Sequence, residues 1–76
     1  MKYFKWVGSN QLHYLQYLAY DDNYSIGLFY DGTKTTDRET LSGWINHNLT
    51  EIVFDNGRWI EVTDHKEIAQ MKMKLL

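Results

Sequence analysis

Apolar and polar positions alternate along much of this chain, and the places where the period changes divide it into elements. Residues 2–7 (Lys-Tyr-Phe-Lys-Trp-Val) read as an aromatic-rich strand, ended by Gly8-Ser9-Asn10. Residues 11–20 fit two patterns at once. Leu12, Leu15 and Leu18/Ala19 make a helical stripe, while Leu12, Tyr14, Leu18 and Tyr20 follow strict alternation. The three tyrosines of this segment and the Asp21-Asp22-Asn23 turn after it favour the strand. Residues 24–31 predict a third strand, closed by Asp31-Gly32.

The period then lengthens. Thr36 followed by Glu39 fits a capping box, and Leu41, Trp44, Ile45 and Leu49 share one helical face. Between Glu51 and Val62 two β-rich runs flank Asn56-Gly57, residues that accept the positive φ of a type I′ turn. That hairpin pairs Phe54 with Trp59 and Val53 with Ile60. Asp64 followed by Glu67 caps a final helix whose buried stripe is Ile68, Met71 and Leu75. Lys72 and Lys74 in its last turn complement the helix dipole. The order βββ-α-ββ-α predicts an α+β fold, an antiparallel sheet with both amphipathic helices packed on one face.

Length makes this one domain, residues 1–76, with a thin core: a chain this short buries only about 60% of its unfolded surface. No cysteine reinforces it; six Tyr, three Trp and three Phe supply the bulk instead. The net charge is −2, and the Lys and Arg residues are scattered. No basic stripe follows a phosphate backbone, so charge points to a protein partner, with no direct nucleic acid and no membrane. No apolar run reaches the ~20 residues of a membrane span. Lys5 interrupts the N-terminal apolar stretch and no cleavage pattern follows, so a cytosolic protein is expected.

No catalytic constellation emerges, and no cofactor or metal is expected. His13, His47 and His65 lack metal-ligand spacing. Asp21 and Asp22 are adjacent acids, but between two strands such residues form turns far more often than catalytic pairs. The serines lie in no nucleophile elbow, and no glycine-rich phosphate loop is present.

The N-terminal sheet carries aromatics on both faces. A three-residue loop at Gly8-Ser9-Asn10 pairs Trp6 with Leu12 and Phe4 with Tyr14; a two-residue loop at Asp22-Asn23 pairs Tyr20 with Ser25. Alternation then gathers Phe4, Trp6, Leu12, Tyr14, Leu18, Tyr20, Phe29 and Asp31 on one face. Tyr3, Leu15, Tyr17, Ala19, Ile26, Leu28 and Tyr30 take the other. If the helices cover the second face, the first stays open, and Trp6, Tyr14 and Tyr20 on it have the composition of a protein-binding surface. The alternative is that both faces are core.

The first part of the chain resembles a phage-encoded anti-CRISPR family that binds the backbone subunits of the type I-F Cascade (Csy) surveillance complex. The resemblance rests on Met1-Lys2-Tyr3-Phe4-Lys5-Trp6, Leu12-His13-Tyr14-Leu15, Tyr20-Asp21, Ile26 and Asp31, with Leu41-Ser42-Gly43-Trp44-Ile45 echoing a later helical motif. It covers roughly the first 45 residues and leaves the Glu51–Val62 hairpin without a counterpart. It implies an antiparallel sheet packed by two helices. It also implies partner contacts at Trp6, Tyr20 and Asp31, with Trp6 and Asp31 similar in type to the family residues. The expected function is therefore that of a non-enzymatic, monomeric CRISPR inhibitor, acting in the host bacterial cytoplasm by blocking target DNA hybridisation. The alternatives are another phage or prophage interaction module, antitoxin-like or regulator-neutralising, and a direct binder of single-stranded nucleic acid.

Overall fold

The computed structural model describes residues 1–8, 15–45 and 58–76. Strands β1 (Lys2–Val7), β2 (Leu15–Tyr20), β3 (Ser25–Phe29) and β4 (Lys34–Thr35) precede helix α1 (Arg38–Trp44). Strand β5 (Arg58–Val62) and helix α2 (His65–Leu75) follow. All described strand pairs are antiparallel, in the order β4-β3-β2-β1-β5. The α+β class and its antiparallel sheet are as the alternation predicts. Short β4 was not foreseen. The Asn56-Gly57 turn and the first strand of its hairpin lie outside the described residues.

The β2–β3 register matches expectation, with Tyr20 opposite Ser25 and Ala19 opposite Ile26. The β1–β2 register does not: Phe4 faces Leu18 and Lys2 faces Tyr20. The three-residue loop would have left Leu18 and Tyr20 beyond the start of β1. The observed register gives them partners. It differs from the expected one by four residues, an even step, so Phe4, Leu18 and Tyr20 keep their shared face. A bulge between Leu15 and Tyr17 moves Leu15 off the face it was expected to occupy and onto that of Leu18.

The helices are divided between the faces. Helix α2 lays Met71 and Leu75 on Ala19, Ile26, Leu28 and Val62, with Tyr3, Tyr17 and Ile68 around them. Helix α1 sets Leu41 against Leu15 and Leu18 on the opposite side, ringed by Phe4, Tyr20, Phe29, Trp44, Ile45 and Trp59. The expectation of both helices on one face gives way because β2 and β3 carry large apolar residues on both sides, and each side needs cover. Gly27 allows the close fit of α1: a Cβ there would stand 2.9 Å from both Leu15 methyl groups and 3.0 Å from a Leu41 methyl.

Local chemistry sets the helix starts. Asp64 caps α2 as expected, accepting from the Glu67 backbone N–H at 3.0 Å. Helix α1 starts one residue later than the Thr36 capping box implied. Its cap is Asp37, which accepts from the Glu39 N–H at 3.3 Å and from the Thr40 hydroxyl at 2.6 Å. A carboxylate outcompetes a hydroxyl at the positive end of a helix. Among the described residues, no helix is long and apolar enough to cross a membrane.

Candidate binding surface

Trp6 and Tyr20, two of the residues expected to meet a partner, share a face but not an environment. Trp6 is 4% exposed and stands edge-on to its cross-strand partner Trp59, ring centroids 5.7 Å apart at 70°. An indole enclosed in this way packs the sheet and has no free surface to offer, so the expected contact at Trp6 is corrected to a core position. Its neighbour Trp59 is brought by β5, of which alternation within β1 to β3 gives no sign.

Tyr20 lies at the other end of the sheet. Its backbone partner is Lys2, four residues along β1 from Trp6 and roughly 13 Å away at strand rise. The ring is half-buried, stacked on Phe4 with centroids 5.6 Å apart and planes at 10°. Beside it lies an open hollow of about 290 Å³ lined by Met1, Lys2, Tyr20, Asp21 and Asp22.

The turn holding these acids is tightly organised. Asp21 accepts from the backbone N–H groups of Asn23 (2.8 Å) and Tyr24 (2.7 Å), while its own N–H donates to the Tyr24 carbonyl at 2.8 Å. The Asn23 and Tyr24 N–H bonds hold the Asp21 carboxyl below the usual aspartate range, so it stays ionised. Arg38 of α1 donates to the Asp22 carbonyl at 3.4 Å, tying the helix to this turn. The sequence reading of Asp21 and Asp22 as turn formers is correct, and the turn also aims their charge outward.

Asp31 is exposed, as a contact residue must be, but it belongs to a different corner. It follows β3 at the end where Phe29 pairs with Leu15, the end opposite Tyr20. Its carboxylate accepts from the Thr33 N–H at 2.9 Å and is pulled below its ordinary pKa, first by that bond and then by the Thr33 hydroxyl. Gly32 supplies the positive φ of +87° that the turn requires. Tyr14 lies outside the described residues. The three described contacts are therefore not brought together; Tyr20 is joined instead by Asp21, Asp22 and Lys2. Their grouping follows from the Asp22-Asn23 hairpin and the shifted β1 register, and only the first of these was readable in advance.

Among the described residues, no group of three His, Cys, Asp or Glu side chains could hold a metal ion. No protein-family model, curated protein or solved structure matches the chain.

Proposed function

We propose that this chain is an inhibitor of the anti-CRISPR kind, which docks on the backbone subunits of a type I surveillance complex and blocks target DNA hybridisation in the bacterial cytoplasm. The observation that carries the reading is the end of the sheet at Tyr20. A half-buried aromatic ring there stands beside Asp21 and Asp22, on a turn whose hydrogen bonds keep charge at the surface. Surveillance complexes hold guide RNA in a basic channel and read targets by base pairing. An aromatic anchor flanked by carboxylates complements such a channel wall, and a plug of this size prevents pairing by occupying space. The resemblance of the first part of the chain to the phage family supports the same choice. With Trp6 in the core, the proposed contact set is Tyr20, Asp21 and Asp22, with Asp31 reaching a second point on the partner.

The test is co-purification of the tagged protein with a type I-F surveillance complex, followed by order-of-addition assays. Incubation before target DNA should abolish target binding, whereas addition to a preformed R-loop should do much less. Equal inhibition in both orders would exclude the hybridisation block, and failure to co-purify would exclude the partner.

A further inference from the structure

We propose that the trough between the C-terminal turn of α2 and strand β4 is a second docking surface, fitted to an extended acidic and aliphatic peptide segment of a partner protein. Two adjoining hollows make it. Both are lined by Tyr24, Ile26, Leu75 and Leu76. The tighter one, about 70 Å³, reaches towards Met1 and Lys72, and the wider one, about 360 Å³, towards Lys34 of β4. Met1, Tyr24 and Leu76 are 53%, 39% and 78% exposed, so apolar side chains that face water gather here.

Charge selects the occupant. Lys34 lines the wider hollow and Lys72 the tighter one, and among the described residues no Asp or Glu side chain lines either. A ligand that covers the apolar floor also desolvates these ammonium groups and must offer carboxylates in return. A second copy of this chain packed face to face would set the same lysines against each other, which disfavours self-association. A membrane surface favours a protruding apolar face, and this one is concave. An extended peptide has a further advantage. Strand β4 is the edge of the described sheet, so a segment laid beside it gains backbone hydrogen bonds while one side chain enters the trough. This surface goes beyond the function proposed above and does not depend on it.

The test is methyl and aromatic NMR on the full chain, titrated with a capped octapeptide of alternating Leu and Glu. Saturable shifts should centre on Ile26, Leu75 and Tyr24. The double variant Lys34→Glu/Lys72→Glu should keep its amide spectrum and bind about tenfold more weakly, as should wild type with a Gln-for-Glu peptide. Absence of saturable shifts, shifts centred elsewhere, or equal affinity for the Gln peptide would overturn the proposal. Dilution-dependent shifts without peptide would overturn it in favour of a second copy. Shifts with phosphatidylglycerol vesicles but not with peptide would overturn it in favour of a lipid surface.

Discussion

The two faces of the sheet are sealed by different means. On one, the eleven-residue helix α2 lays aliphatic side chains over Ala19, Ile26, Leu28 and Val62. Its lysines reach over the tyrosines at the margin: the Lys72 ammonium lies 5.9 Å from the Tyr3 ring centre, and that of Lys74 lies 5.1 Å from Tyr17. Lys5 beneath pairs with Glu67 of the same helix. On the other face, α1 has seven residues and one buried side chain, Leu41. Among the described residues, aromatic rings surround it, with Phe4 stacked on Tyr20 and Trp6 edge-on to Trp59. A long helix covers the centre of a face with its own side chains and leaves the margin to a few tyrosines. A short one leaves rings to finish it, and a ring at the margin is at once packing and surface.

The largest effect that tests this contrast is at Trp6. If the ring-covered face is core, Trp6→Ala should lower stability by about 3–5 kcal/mol, as loss of a buried large aromatic does. Thermal or denaturant melts measure it. A variant that melts like wild type but loses its partner would make Trp6 a contact and undo the contrast. Next come Leu18→Ala and Leu28→Ala, one under each helix and 0% and 7% exposed. Each should cost about 2–5 kcal/mol. A much smaller loss at Leu18 would mean that the short helix does not seal its side. A smaller effect belongs to Gly27→Ala, about 1–2 kcal/mol, because the new methyl crowds Leu15 and Leu41. An unchanged or raised melting temperature there would show that the Leu15 side chain can yield.

What the sequence revealed follows from how local each signal is. The β2–β3 register was legible from the turn as far as Tyr17, because a tight polar turn fixes register by itself. The cap of α2 was legible for the same reason, since Asp64 and Glu67 are three residues apart. The parity of each face survived a four-residue error in the β1 register, because only odd shifts exchange faces. The bulge at Leu15 and the burial of Trp6 were not legible. Leu15 packs with Leu41, and Trp6 stands against Trp59, partners distant in sequence and close only in the fold. The candidate site suffered most: alternation tells which face a side chain takes, but not whether another strand or helix arrives to cover it.

The smallest expected effect separates the two exposed turns, which the faces do not distinguish. Asp21 is held by backbone N–H groups across its turn, from Asn23 and Tyr24, whereas Asp31 is held by the N–H and hydroxyl of Thr33 and by its own backbone N–H. Both carboxyls are held below the aspartate range in the folded protein, and unfolding returns them to it. Their ionised forms therefore favour the folded state. That contribution is complete above the ordinary aspartate range and is lost as pH falls through the depressed folded values. Between pH ~5 and ~2 the wild-type denaturation midpoint should fall more steeply than that of Asp21→Asn or Asp31→Asn, since neither amide titrates. The difference should be larger for Asp21, whose two amide donors hold the whole β2–β3 turn. Parallel acid limbs for wild type and Asp21→Asn would mean that these bonds persist in the unfolded chain, or are too weak to favour the ionised form. A larger difference at Asp31 would make the Asp31–Thr33 turn, rather than the turn beside Tyr20, the more firmly held of the two.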